Sequence, residues 1–410
     1  MPSKTLYFGD VPVRSGAGLS GQLFRLLEGA PEGGLWVVET GPVASEMGQR
    51  LEGVPYFHHP PGKVEGRLQT TRLRQLAETW LALLMAQHSG QIKSALQGSK
   101  VDCILTAARG LGFLGAASYA RKRGLPLHLL VDEDWPDTTP MSPGLRPWCH
   151  RMFGEIYQQA TSRLCGSPAV EAWCREKCNI TGTVLYPCRS MAAPAHDEPP
   201  VKTGVSGRSF TIGYAGPLEG GGCSEVLRSV ASAILPLHGR LNIYGRADAR
   251  EASQAGLDQR NVTLKGDSSL EDLITLLRQE TDVLVLPGSF SDKDADKVRF
   301  HFPGILADLT AAALPLVIVA PEYSPAIRWA RENAGSAMGI VQPERSVIGQ
   351  ALQRLASDAP LRSSMGRNAA RTGARMFSAS QVRGQFQESL RQPMPSPPPA
   401  SLRKPGRSSE

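Results

Sequence analysis

Three stretches of this chain carry residue types able to do chemistry. Asp132-Glu133-Asp134-Trp135-Pro136 follows the apolar run Leu125 to Val131. Acids at the C-terminal end of a parallel strand stand in the crevice where open α/β sheets take ligands. A carboxylate there can hydrogen-bond a hydroxyl or accept its proton. Gly216-Pro217-Leu218-Glu219-Gly220-Gly221-Gly222 joins a strand to a helix. Its backbone N–H groups can face phosphate oxygens with the helix dipole behind them; a merely flexible turn is the alternative. Phe302 to Val319 reads as a loop, a helix opening at Pro303 and a buried strand from Leu316. Gly304 leaves that helix start open to an anion. Asp308, one to two turns further in, can accept hydrogen bonds from a ribose. His301, just ahead of the helix, can touch sugar or phosphate.

These groups need a scaffold, and the apolar pattern supplies one. Short apolar runs at Leu35 to Thr40, Val101 to Thr106, Leu125 to Val131, Arg163 to Cys165 and Val184 to Tyr186 alternate with helical stretches, among them Leu68 to Leu96, Gly110 to Arg123, Pro147 to Ala160 and Pro168 to Cys178. Ser167 is placed to cap the last of these. The second half restarts at Phe210 to Tyr214, with strands at Leu241 to Tyr244, Val262 to Lys265, Val283 to Leu286, Leu316 to Val319 and Gly339 to Val341. Strand–helix alternation of this kind makes parallel sheets covered on both faces. The expected class is α/β, with two Rossmann-like doubly wound domains facing a cleft. The expected division is residues 1–191, a Pro/Gly-rich linker at 192–208, a second domain at 209–375, a closing helix at 376–391 and a disordered basic Pro/Ser tail at 392–410.

With 410 residues the chain is long enough for two cores. No apolar run reaches the roughly 20 residues that cross a bilayer, and no signal-peptide core is seen, so the expected place is the cytoplasm. The formal net charge of +7 suits an anionic ligand and allows peripheral contact with the inner, anionic face of a membrane. There is no basic stripe interleaved with aromatics, so no nucleic-acid partner is expected. Seven cysteines lack a repeated ligand spacing. Cys174 and Cys178 with His150 form a conceivable zinc set, but buried reduced thiols are the preferred reading, and no metal is expected. His58 and His59 read as surface residues, and His128 as a core residue.

The stretch Phe302 to Val319 resembles the donor-binding helix of GT-B glycosyltransferases, in the large retaining family four (glycosyl transferases group 1). Further phrases carry the likeness: Thr211-Ile212-Gly213-Tyr214-Ala215-Gly216, Leu241-Asn242-Ile243-Tyr244-Gly245, Ser324 to Ala330 and Arg362 to Phe377. Asp308 matches the second of the family's paired acids. Phe300 stands where the first acid belongs, and Ile305 where many relatives have a phosphate lysine. The resemblance implies transfer of a hexosyl group from a UDP- or GDP-type nucleotide-diphosphate sugar to a glycan or lipid-linked hydroxyl acceptor, with retention, no metal and no further cofactor, in polysaccharide or glycoconjugate biosynthesis. It places the donor at Gly216, Gly245, Arg246, Lys265, Gly266, Phe290, Pro303, Gly304 and Asp308, with the base near Lys265-Gly266 and Phe290 walling the sugar pocket. Lys293, Lys297 and Arg299 are candidates to replace the phosphate lysine. On the acceptor side it places Gly18, Ser20 and Asp134; Gly18 and Ser20 belong to the loop Gly16 to Gly21, before which no clean strand is read. Asp132 and His301 are the candidate catalytic side chains. The Asp132-x-Asp134 spacing also matches the metal signature of the GT-A fold, which the two-domain plan opposes. A non-catalytic nucleotide- or glycan-binding relative and a sugar-nucleotide epimerase remain the alternatives.

Overall fold

The computed structural model describes residues 4–60, 74–85, 92, 95–96, 98–138, 143–201, 209–218 and 221–394. Much of the Leu68 to Leu96 helical stretch, the linker end 202–208, Glu219 and Gly220, and the tail 395–410 lie outside them.

The first sheet is built from β1 (Thr5–Gly9), β2 (Leu35–Glu39), β3 (Tyr56–His58), β4 (Cys103–Ala107), β5 (Leu127–Val131), β6 (Ser162–Cys165) and β7 (Thr183–Val184), in the order β3-β2-β1-β4-β5-β6-β7. Every pairing is parallel; Thr5 faces Leu35 on one side and Cys103 on the other. Its helices are α1 (Gly18–Leu27), α2 (Arg74–Met85), α3 (Gly112–Arg123), α4 (Arg146–Gln159) and α5 (Pro168–Cys178). β1, β4 and β5 are buried at every position, which is why they read as apolar runs without alternation. Ser167 caps α5 by accepting from the Val170 N–H at 3.2 Å. β1 is new relative to the sequence reading: a buried strand does precede the Gly16 to Gly21 loop.

The second sheet repeats the plan. It holds β8 (Thr211–Ala215), β9 (Arg240–Tyr244), β10 (Val262–Gly266), β11 (Val283–Pro287), β12 (Leu316–Val319) and β13 (Ala337–Ile340), all parallel, in the order β10-β9-β8-β11-β12-β13. Its helices are α6 (Gly221–Ala233), α7 (Ala249–Gln254), α8 (Leu270–Glu280), α9 (Ala295–Phe300), α10 (Ile305–Leu309), α11 (Pro325–Glu332), α12 (Arg345–Ser357) and α13 (Ala359–Phe377). The expected helix from Pro303 to Ala313 is shorter: α10 gives way to a 3-10 turn at Thr310–Ala312, and Ala313 ends it at φ 52°, a left-handed conformation that usually calls for glycine.

Both sheets reverse strand order beside their first strand, at β1/β4 and at β8/β11, and ligands of such sheets bind outside the strand ends there. α14 (Ala379–Leu390) crosses back to the first domain, burying Val382, Phe386 and Leu390 with Leu23, Leu26 and Leu27 of α1. Arg383 ties it down, donating to the Arg25 carbonyl at 2.6 Å and to Glu28.

Candidate functional site

The ends of β1, β4 and β5 place Asp10, Arg109 and Asp132 together. Asp132 follows the last residue of β5, and its backbone is backed by Gly166 after β6. Its Oδ1 is buried with no hydrogen-bond partner among the described residues. Its Oδ2 lies 3.9 Å from an Arg109 nitrogen, beyond hydrogen-bond reach. Arg109 is spent on Glu133: Nε donates to Oε1 at 3.0 Å and a second nitrogen to Oε2. Burial pushes the Asp132 carboxyl up to about 6, with Arg109 opposing and Glu133 adding to the rise. Asp134 is also buried, its Oδ1 has no partner, and burial, with Asp137, Asp296 and Glu133 nearby, raises it to about 6. Two carboxyls poised near neutrality at a strand end are suited to taking a proton from a hydroxyl.

His301 comes to this cluster from the second domain. The residue is exposed by surface area, yet desolvation by the surrounding chain, then Lys297 and Arg109, lower its pKa, with Glu133 pulling the other way. Phe300, one residue earlier, is buried in the first domain's core, its ring 6.1 Å from that of Trp173 at 67°. The Ser167 hydroxyl donates to the Phe300 carbonyl at 2.9 Å. The position that holds an acid in the resembled family therefore holds an apolar plug joining the two domains.

Asp308 requires a correction. Its carboxylate is 1% exposed. Arg25 of α1 reaches both oxygens, at 3.1 and 2.9 Å, and the Ser190 N–H donates to Oδ1 at 2.9 Å. An acid on the short, turned α10 points back against α1 and the interdomain chain. It fastens the domains here and, at 1% exposure, is not open to a ribose. Burial raises its pKa; Arg25 and Ser190 oppose that rise.

The remaining donor-side candidates fall in three groups. Gly216 and Gly245 lie against each other: a Cβ on Gly245 would sit 2.8 Å from the Gly216 carbonyl oxygen. They bring the ends of β8 and β9 together near the start of α6. Gly266 supports them by accepting from the Gly245 N–H at 2.9 Å. Pro303 and Gly304 lead into α10, and a Cβ on Gly304 would meet nothing. Phe290 is partly buried in the second core. Lys265 and Arg246 are turned to protein partners, Glu280 at 2.9 Å and Asp267 at 2.8 Å. Arg299 lies over Tyr323 at 5.5 Å. Lys297 makes no ion pair with any described residue, and it acts on both Cys223, in the first turn of α6, and His301. On the acceptor side, Gly18 opens α1 at φ 68°, and the Ser20 hydroxyl is spent on the Pro12 carbonyl at 2.5 Å.

One feature escaped the sequence reading although its signal was present. Gly110-Leu111-Gly112-Phe113-Leu114-Gly115, between β4 and α3, has the G-x-G-x-x-G spacing of a phosphate cradle. The anion in it is the chain's own: Asp10 Oδ2 accepts from the Leu111 and Gly112 N–H groups at 2.6 and 3.1 Å, and Thr40 donates to Oδ1. A Cβ at Gly110 would overlap the Asp10 carboxylate. The seat at the start of α3 is filled from within. The zinc alternative does not assemble: Cys174 and Cys178 are buried, His150 faces Asp137 at 3.3 Å, and the described residues contain no group of three or more potential metal ligands.

No family model and no curated protein matches the chain. Solved structures do. HepE of Anabaena in complex with UDP and glucose superposes with a TM-score of 0.64 at 14% identity, covering 95% of this chain and 99% of that one. Sucrose-phosphate synthase of Thermosynechococcus elongatus gives 0.66 at 14% identity, covering 95% and 98%. A glycosyltransferase of Rickettsia africae gives 0.66 at 11% identity, covering 95% and 98%. Two all-parallel α/β sheets in repeated order, facing each other across a crevice and matching these chains end to end, are the GT-B fold of glycosyltransferases.

Proposed function

We propose that the protein is a glycosyltransferase that moves a sugar from a nucleotide-diphosphate sugar to a hydroxyl of a glycan or lipid-linked acceptor. The observation that carries this reading is Asp132: a carboxylate at the switch-point end of β5 whose Oδ1 is buried, whose Oδ2 stands 3.9 Å from an Arg109 nitrogen, and whose pKa burial pushes up to about 6. A hydroxyl entering the crevice would donate to Oδ2 and lose its proton there. The donor diphosphate would lie at the start of α6, where the amides and Lys297, which has no ion-pair partner among the described residues, oppose its charge as it leaves. That HepE binds UDP-glucose supports a nucleotide sugar of this kind. With Asp308 fastened to Arg25, the ribose would be held by the backbone around Gly245 and Gly266. Retention of configuration, metal-independent transfer and work at the cytoplasmic face of a membrane extend the same reading.

A thermal-shift screen over UDP- and GDP-sugars tests the donor site, because a ligand that binds only the folded state raises the melting point. The expected result is a shift with one donor class that Lys297→Ala reduces. A flat screen, or a shift untouched by that change, refutes the placement. The buried Phe300 and the paired Asp308 favour a second reading, binding without transfer, in which a donor shifts the melting point but no product forms with any acceptor.

A further inference from the structure

The arrangement around Asp132 has a part that substrate chemistry alone does not require. Arg109 leaves β4 beside β5, and its guanidinium is pinned by two hydrogen bonds to Glu133. So held, it stops 3.9 Å short of Asp132 Oδ2. A free arginine at that distance would close the gap, because a bidentate pair with the more buried carboxylate is the stronger contact. We infer that Arg109, held back by Glu133, is a positioning residue that keeps Asp132 oriented by its charge while leaving Oδ2, the oxygen it stops short of, free to take a proton from a substrate hydroxyl.

The neighbours of Asp132 fit that role. Arg109 faces it from the loop after β4, Glu133 from its own segment, and Tyr7 from β1, with Asp10 acting on the same phenol. From the β6 end Gly166 backs it, without charge. His301 of the second domain acts on the same ring of charges through Arg109 and Glu133. Among these, Arg109 is the cation acting directly on Asp132. Removing Arg109 withdraws attraction from the carboxylate. Removing the charge of Glu133 releases Arg109 to bond Asp132 directly and fill its lone pairs. Two neighbouring changes should thus move Asp132 in opposite directions.

The role assigned to Asp132 rests on the proposed transfer, but the test needs neither donor nor acceptor. The probe is a carboxyl carbon-13 NMR titration of the whole protein, with the Asp132 resonance assigned by its loss in Asp132→Asn. Arg109→Gln is expected to raise the Asp132 midpoint by about one pH unit, and Glu133→Gln to lower it by about as much, the size of effect a neighbouring charge produces. Arg109→Lys, which keeps the charge, should stay near the wild type and guards against a folding defect in the glutamine variant. A midpoint unmoved by Arg109→Gln, or raised by Glu133→Gln, overturns the inference. Opposite shifts in a protein that transfers no sugar would uphold the positioning and remove the transferase reading.

Discussion

Arginine 25 offers the sharpest energetic test of how the domains are held. Its partner Asp308 is 1% exposed, while the Arg25 side chain keeps 18% of its surface. Replacing Arg25 with methionine keeps much of the stem's packing and removes the charge. Asp308 would then be a buried anion with the Ser190 N–H as its remaining short donor. Breaking a buried pair from one side costs about 3–5 kcal/mol, and the residual exposure of Arg25 places this site toward the lower end. Burial already raises the Asp308 pKa, and losing Arg25 raises it further. A carboxyl whose folded pKa lies above its unfolded value makes the folded state the better proton binder. The deficit is therefore full above the folded pKa and shrinks as pH falls from there toward the unfolded value near 3.9. Urea unfolding of wild type, Arg25→Met, Asp308→Asn and the double variant, at pH 7.5 and pH 5, measures this. The single methionine variant should lose about 3 kcal/mol at pH 7.5 and less at pH 5, and the double variant should recover part of the loss. A methionine variant within 1 kcal/mol of wild type at pH 7.5, beyond the error of extrapolation, would refute the reasoning.

Other consequences are as direct. Asp132→Asn should abolish transfer yet stabilise the protein at pH 7.5 by about 2–3 kcal/mol, the worth of a rise to about 6 from the ordinary aspartate value of about 3.9; the gain should vanish as pH falls from 6 through 4, and denaturant melts across that range check it. Phe300→Ala should cost about 3 kcal/mol and loosen the domains, seen as a larger radius of gyration by small-angle scattering; an unchanged radius and melting point would remove Phe300 as a plug. Ala313→Gly should stabilise by up to about 1 kcal/mol, since φ 52° strains an alanine, while the glycine's extra freedom when unfolded takes part of that back.

The repeated alternation of apolar runs and helical stretches exposed both sheets in the sequence, because strands buried on both faces have no polar positions to blur them. Ser167 declared its helix by the same local logic. β1 escaped because five residues near the chain start, Thr5 to Gly9, offer no flanking pattern. The Gly110 to Gly115 spacing was visible but silent about its occupant, since Asp10 meets it from another strand 101 residues away. Asp308 misled for the same reason on a larger scale: motif position suggested a ribose, while Arg25, 283 residues distant, takes the carboxylate. The place of Asp132 after β5 was legible because the end of a parallel strand fixes where a residue stands without help from afar. The 3.9 Å gap between Arg109 and Asp132 Oδ2 was not, because that depends on Arg109 being held by Glu133.

The account rests on a crevice in which Asp132 takes the proton of a hydroxyl while the start of α6 and Lys297 receive a diphosphate. The most direct measurement incubates wild type and Asp132→Asn with UDP- and GDP-sugars and a panel of glycan and lipid-linked acceptors, and follows nucleoside diphosphate release together with mass gain of the acceptor. The predicted result is coupled release and gain with wild type, and neither with Asp132→Asn even though it still binds the donor. Equal turnover by the two proteins, or no donor bound by either, would contradict it.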